Sequence, residues 1–75
     1  MKISLVHGDD WQGLFINGIL VTEGHRVTVE EAITAISERL VRQDIQFESL
    51  EANYKWLEDR GGFTEKLEKV KLGND

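Results

Sequence analysis

The pair Asn17-Gly18 restricts the fold of this chain more than any other feature of its sequence. It separates two β-rich runs, residues 11–16 and residues 19–22. A two-residue type I′ turn requires positive φ at both central positions, and asparagine followed by glycine adopts them at little cost. The pair therefore predicts a β-hairpin. The β-rich residues 2–6, which precede a turn-forming stretch, predict a further strand before it.

A helix is predicted after the hairpin by a capping box at residues 28–31. In this motif the Thr28 hydroxyl accepts a hydrogen bond from the amide of Glu31, which satisfies one of the free donors at the helix start. The apolar residues that follow recur with helical spacing, and they are Val29, Ala32, Ile33, Ile36 and Leu40. This spacing predicts an amphipathic helix that ends near Gln43 and packs its apolar stripe on the sheet.

A second helix is predicted in the later part of the chain. Ser49 is of a residue type that caps helix N-termini and Gly61-Gly62 is a typical stop, so we expect a helix from Ser49 to about Arg60. Its core stripe would comprise Leu50, Tyr54 and Leu57. Residues 45–47, before this helix, fit either a short strand or an extended connection. After residue 62 the pattern favours a helical turn followed by an extended end.

Together these elements define an α+β fold in which residues 1–75 form one domain. We expect a small antiparallel sheet of three strands, or of four if residues 45–47 pair, with two helices packed on one face. Residues 63–75 would form a loosely ordered tail. A core of this size is only marginally sufficient, so we also expect a homodimer.

Composition narrows the cellular setting and the class of partner. The chain has no cysteine, which suits a reducing compartment, and its apolar runs are far shorter than the ~20 residues needed to span a bilayer. The expected location is therefore the cytoplasm, with no membrane partner. The net charge of −5 disfavours direct binding to nucleic acid and favours basic partners.

No residue pattern in the sequence specifies a reaction. The glycines are scattered at turns rather than grouped around a phosphate site. His7, Asp9 and His25 raise the question of a metal or acid–base site, but nothing in their spacing requires three or four ligands to converge. We therefore predict no catalytic residue, no cofactor and no metal. An enzyme or metal protein built around these three residues is kept as a third hypothesis.

Negative charge is concentrated between Asp44 and Asp59, where five carboxylates face a single lysine, Lys55. On a helical wheel the carboxylates from residue 48 onward would occupy an arc beside the core stripe, with Trp56 beyond it. An aromatic side chain outside the core stripe is a frequent interface anchor. The predicted partner-binding residues are Asp44, Glu48, Glu51, Trp56, Glu58 and Asp59.

Two parts of the sequence resemble small phage-encoded proteins of Gram-positive hosts. The first comprises residues 11–18 with Glu23-Gly24-His25, and the second comprises Trp56-Leu57-Glu58 with Arg60-Gly61-Gly62-Phe63. With its small size and acidic composition, the chain is similar to host-takeover proteins of lytic Bacillus phages. One such protein inhibits the nucleoid protein HU by occupying its DNA-binding surface. The resemblance implies a DNA mimic in the host cytoplasm that binds a basic, HU-like protein, and it assigns no role to particular residues.

The leading functional hypothesis is a non-enzymatic acidic binding protein that presents carboxylates in place of DNA phosphates. Carboxylates one or two helical turns apart stand about 5–10 Å from each other, which is commensurate with successive phosphates along a strand. The alternative is a protein-interaction or adaptor module that uses Trp56 and a sheet edge. In that case the acidic face would only keep the protein soluble.

Overall fold

The computed structural model describes residues 1–37 and 45–74. The described residues form a sheet of four strands in the order β3-β2-β1-β4, two α-helices and a short 3-10 turn. The elements are β1 (Lys2–His7), β2 (Gln12–Ile16), β3 (Ile19–Gly24), α1 (Val29–Ser37), β4 (Gln46–Glu51), α2 (Tyr54–Arg60) and the 3-10 turn Leu67–Lys69. The α+β class is confirmed, and so is the fourth strand. No helix within these residues is long and apolar enough to cross a bilayer.

The predicted hairpin is present at Asn17-Gly18. Both residues have positive φ, 51° for Asn17 and 80° for Gly18, and the turn joins β2 to β3 with Ile16 opposite Ile19. Two hydrogen bonds tie the turn to the start of β1: the Asn17 amide donates to the Lys2 carbonyl at 2.8 Å, and the Lys2 amide donates to Asn17 Oδ1 at 2.9 Å. The turn thus also fixes the register of β1.

The sheet is mixed, and the expectation of a purely antiparallel sheet is wrong. Strand β4 runs parallel to β1, with pairs from Lys2↔Gln46 to His7↔Glu51, whereas β1-β2 and β2-β3 are antiparallel. A parallel neighbour requires a long crossover, and β2, β3 and α1 all lie between the two strands in the chain. An alternating pattern of apolar residues is the same whether a strand runs parallel or antiparallel to its neighbour. The sequence of residues 45–47 therefore did not predict the parallel orientation.

The two helices pack against different core clusters, which corrects the expectation that both cover one face of the sheet. One cluster contains Val6 and Phe15 with Leu57 of α2. The other contains Ile3, Leu14 and Ile16, against which Ala32 and Ile36 of α1 pack. Because neighbouring strand residues point to opposite faces, these clusters lie on opposite sides of the sheet. Strand β2 is buried at four consecutive positions, Gly13 to Ile16, and therefore needs cover on both faces.

Helix α1 begins as predicted. The Glu31 amide donates to Thr28 Oγ1 at 3.1 Å, which confirms Thr28 as the cap. Ile36 is half-buried against the Ile3 cluster, as expected for the apolar stripe. The expected burial of Ile33 and Leu40 and the helix end near Gln43 lie outside the described residues and side chains.

Helix α2 begins later than predicted. Ser49 lies within β4, and the cap is Asn53, whose Oδ1 accepts a hydrogen bond from the Trp56 amide at 2.9 Å. Ser49 and Asn53 are both of capping types. Exposed and half-buried side chains, however, alternate from Phe47 through Glu51, which is the pattern of a strand, and Ser49 therefore belongs to β4. The predicted stop is confirmed, because Gly61 is left-handed at φ 80° and its amide donates to the Leu57 carbonyl at 2.9 Å.

Residues 63–74, which we name the C-terminal strap, contact both edges of the sheet. At β3, Leu20 donates to the Glu65 carbonyl at 2.7 Å; at β4, Asn53 donates to the Lys71 carbonyl at 2.8 Å just after the strand ends. Val70, between these two contacts, is buried. At the start of the strap, the buried Phe63 ring packs edge-on against Phe15 with centroids 5.7 Å apart. The strap crosses the face of the sheet that α2 also covers.

Candidate functional site

The structure distributes the predicted partner-binding residues over two elements instead of one helix. Glu48 and Glu51 lie in β4, while Trp56, Glu58 and Asp59 lie in α2. Asp44 lies outside the described residues. The wheel that placed the carboxylates on a single arc is therefore wrong, because a strand and a helix project their side chains with different periods.

Glu48 is engaged inside the protein. Its Oε1 accepts a hydrogen bond of 2.8 Å from Oγ of Ser4, which is fully buried, and its Oε2 lies 3.2 Å from Lys2 Nζ. The Ser4 hydrogen bond, followed by the interaction with Lys2, holds the pKa of Glu48 below its usual value. This carboxylate therefore stabilises the pairing of β1 with β4, and Lys2 offsets its charge.

Trp56 packs on the core, contrary to the expectation that it lies beyond the core stripe. Its half-buried ring contacts the cluster of Val6, Phe15 and Leu57, and the Arg60 guanidinium lies 5.5 Å from the ring centroid. Tyr54, which was expected in the core stripe, is instead 38% exposed. The helix therefore presents Tyr54, and not Trp56, as its more exposed aromatic ring.

The parallel pairing of β1 with β4 brings two acidic segments together. His7 and Glu51, the last residues of the two strands, are opposite each other in the register. The loop of residues 8–11 follows β1 and α2 follows β4, so both segments leave the same end of the sheet. The carboxylates of these two segments and of the end of β4 are Asp9, Asp10, Glu51, Glu58 and Asp59, and we name this set the acidic face. Asp9, Asp10 and Glu58 line one cleft and Glu51 and Asp9 act on Tyr54, whereas Asp59 follows Glu58 on α2 and is paired with Lys55.

An open cleft of about 380 Å³ lies between the 8–11 loop and α2. Its lining combines three carboxylates with three aromatic rings, and these six residues are Asp9, Asp10, Trp11, His25, Tyr54 and Glu58. The sequence analysis placed Asp9 only in the enzyme or metal hypothesis with His7 and His25, and neither Asp9 nor Asp10 was among the predicted partner-binding residues. The available signal was an acidic pair directly before a tryptophan, but only the register of β1 and β4 shows what they face.

The Trp11 wall of the cleft is held by contacts from β3 and the residue that follows it. Nε1 of Trp11 donates to Glu23 Oε1 at 2.8 Å, and the His25 ring meets the indole edge-on with centroids 5.0 Å apart. Nδ1 of His25 also lies 3.2 Å from the Asp10 carbonyl and 3.4 Å from its carboxylate. Indole, imidazole and loop are thus connected to one another.

A tight turn presses the 8–11 loop against α2. The Gly8 amide donates to the Trp11 carbonyl at 2.6 Å, and a Cβ on Gly8 would overlap Leu57 of the helix. Glycine is therefore required here by close approach and not by an unusual φ. The contact sets the distance between the two walls of the cleft.

Tyr54 reports the electrostatic character of the site. Partial burial raises the pKa of its phenol above the usual value, and the Glu51 charge, a hydrogen bond with Glu51 and the Asp9 charge raise it further. Two carboxylates on different elements thus act on one ring. The only lysine on α2, Lys55, is paired with Asp59 at 3.7 Å, with both side chains well exposed.

The histidines have separate partners. Nδ1 of His7 lies 3.1 Å from Gln12 Nε2, whereas His25 contacts Asp10. Across residues 1–37 and 45–74, no group of three or more His, Asp or Glu side chains is arranged to hold a metal ion.

Comparisons with protein family models, curated proteins and solved structures found no match to this chain.

Proposed function

We propose that this protein is a non-enzymatic binding protein whose acidic face engages a basic protein partner. The observation that carries the proposal is the placement of five carboxylates on β4, α2 and the 8–11 loop, which meet at one end of the sheet, where Lys55 and Arg60 are the cations of α2. Closely spaced charges of one sign steer an oppositely charged partner and fix its orientation.

The class of partner that we propose is a nucleoid-associated, HU-like protein of a phage host, with carboxylates occupying the surface that otherwise binds DNA. The sequence resemblance is the source of this identity, and the acidic face gives it physical support. Compared with the residues expected from the sequence, the surface gains Asp9 and Asp10. It loses Glu48, which is paired with Ser4 and Lys2.

The structure engages the two features that the adaptor alternative would use to different extents. Trp56 is packed against the core, and Arg60 lies over its ring. The C-terminal strap pairs with the first residue of β3 at the Ile19↔Lys66 bridge and with the residue that follows β4 at the Ala52↔Leu72 bridge. Trp56 is therefore engaged within the described chain, whereas the outer strands are covered only in part, and Phe47 of β4 is 64% exposed.

A charge-reversal experiment with a matched control tests the proposal. In Glu58→Lys with Asp59→Lys, two carboxylates of the acidic face become cations. In Glu65→Lys with Glu68→Lys, the net charge changes equally on the strap, where Glu68 borders the Asn17-Gly18 turn. We expect capture of purified HU-like protein to be lost only in the first variant. Binding by the wild type should fall with salt, because the Debye length shrinks from about 10 Å at 0.1 M to about 3 Å at 1 M.

Competition with duplex DNA completes the test. Carboxylates that occupy the DNA-binding surface should displace a labelled duplex from the HU-like protein in proportion to the protein added. Equal capture by both double variants would show that the acidic face only keeps the protein soluble. A ternary complex with DNA would contradict mimicry.

A further inference from the structure

We propose that the cleft between the 8–11 loop and α2 binds one arginine side chain of the basic protein partner. The inference rests on the proposed function for the source of that arginine, and on the cleft itself for the chemistry. The sequence pattern did not predict that the 8–11 loop and α2 form the two walls of one cleft. They belong to segments more than forty residues apart, such as Trp11 and Tyr54.

The lining matches the two requirements of a guanidinium group. The rings of Trp11 and Tyr54 supply aromatic surface, and a cation is attracted to the face of such a ring by its quadrupole. The carboxylates of Asp9, Asp10 and Glu58 supply hydrogen-bond acceptors and negative charge. An anionic ligand such as a phosphate would meet repulsion from all three.

The size of the cleft fits one side chain. Its volume of about 380 Å³ is near the lower end of the roughly 300–1,000 Å³ found for small-molecule sites. Arginine fits better than lysine because its planar guanidinium stacks on an aromatic ring and presents several donors in a fixed fork. A lysine ammonium would offer a more strongly hydrated point charge.

The walls are organised before any ligand arrives. Glu23 fixes the Trp11 indole, Asn53 caps the helix that bears Tyr54, and Gly8 packs the loop against Leu57. A site that is already ordered loses less conformational freedom on binding, which favours affinity for a small group. The carboxylates nevertheless remain exposed, so a partner's side chain can reach them.

Titration with a blocked arginine, N-acetyl-arginine methylamide, tests the site directly. Nuclear magnetic resonance would follow the indole of Trp11 and the ring of Tyr54, the chain's only tyrosine. We expect saturable shifts of both rings with the arginine compound and none with the matching citrulline compound, which is its neutral isostere. The blocked lysine compound should bind more weakly.

Variants locate the binding. Asp10→Asn combined with Glu58→Gln should weaken arginine binding by roughly tenfold or more, because the amide oxygens still accept hydrogen bonds but no longer carry the negative charge that strengthens them. Glu65→Gln combined with Glu68→Gln removes the same charge from the strap and should leave binding unchanged. All four positions are exposed, so neutralisation is compatible with folding, which an unchanged amide spectrum would verify.

The outcomes separate this inference from the proposed function. Absent shifts, or equal binding of the arginine and citrulline compounds, would overturn the arginine site even if the HU-like protein is captured. Equal binding of the lysine compound would overturn the assignment to arginine. If blocked arginine binds but the neutralised double variant captures the HU-like protein as well as the wild type, the partner does not supply the side chain. Failure of the wild type to capture any basic protein would remove the proposed function, while saturable arginine binding would still support the cleft.

Discussion

Nε1 of Trp11 donates a 2.8 Å hydrogen bond to Oε1 of Glu23, and the same carboxylate oxygen accepts the Phe63 amide at 2.9 Å. One side chain of β3 therefore holds both a wall of the cleft and the first residue of the C-terminal strap. The cleft and the strap, which lie far apart in the sequence, share this support.

Replacing Glu23 with alanine should affect stability and the cleft together. The Phe63 amide and the Trp11 indole would both lose their acceptor, and we expect a loss of about 1–3 kcal/mol in the free energy of unfolding. Urea denaturation measures this loss, and the indole proton resonance of Trp11 reports the ring. Glu23→Gln keeps an acceptor oxygen and is the control; an alanine variant as stable as the glutamine variant would contradict the shared support.

Gly13→Ala should destabilise the core because β2 and the strap approach closely at this position. A Cβ on Gly13 would lie 2.5 Å from Cδ2 and 2.8 Å from Cε2 of the Phe63 ring. We expect a cost of about 1–3 kcal/mol, typical of overpacking. Gly24→Ala, where a Cβ meets nothing within 4 Å, is the matched control and should be tolerated. Thermal unfolding of the two variants measures the difference in stability. Equal unfolding temperatures for Gly13→Ala and Gly24→Ala would contradict the prediction.

The phenol of Tyr54 should titrate at higher pH than a free tyrosine, and Glu51→Gln should bring it closer to the ordinary value of 10.0. Because the folded protein holds this proton more tightly than the unfolded chain, the contribution to stability is complete below the ordinary pKa. It is lost as pH rises through the folded pKa. Ultraviolet absorbance of tyrosinate follows the titration of this single tyrosine. Glu65→Gln should leave the curve in place.

Acid should weaken the pairing of β1 with β4. The pKa of Glu48 is held below its ordinary value of 4.5, chiefly by the Ser4 hydroxyl, so the ionised form is favoured in the folded protein. Its contribution to stability is therefore present above the ordinary pKa and lost as pH falls through the folded pKa. Glu48→Gln should flatten this part of the pH profile of urea denaturation. An unchanged profile would show that the Ser4 contact is not maintained in solution.

Self-association remains a prediction. A core of 75 residues gains from additional buried surface, and we propose a homodimer at micromolar concentration. Sedimentation velocity across a concentration series would test it. A constant 8.6 kDa species at the highest concentration would rule it out.

Local signals made much of the fold predictable. The Asn17-Gly18 turn, the Thr28 cap and the Gly61 stop each depend on residues adjacent in sequence, where backbone preference and hydrogen bonding act together. Strand β4 was underestimated because Ser49 and Asn53 are both able to cap, and the choice between them depends on β1 lying beside residues 46–51. The pairing of two strands more than forty residues apart produces no recognisable pattern in the neighbouring sequence.

The candidate site was predictable only in part for the same reason. Glu58 and Asp59 were recognised from charge density, but Asp9 and Asp10 became partners of α2 only through the pairing of His7 with Glu51. Tyr54 and Trp56 exchanged roles because the helix starts at residue 54 and its packed face is set by the sheet. A wheel drawn through a strand–helix boundary cannot give either result.

The C-terminal strap also sets an order on folding during synthesis. The Gly18 carbonyl accepts a hydrogen bond from the Leu67 amide, and the Asn53 amide donates to the Lys71 carbonyl. Gly18 and Asn53 are synthesised first, so these hydrogen bonds form only after the strap has been synthesised. Contacts of such long sequence separation form slowly, and unpaired strand edges are exposed to other chains meanwhile. A nascent chain that has reached only residue 62 should therefore lack amide protection at Leu20, whose acceptor is the Glu65 carbonyl, while β3 stays paired with β2. Addition of residues 63–74 should restore the protection of this amide.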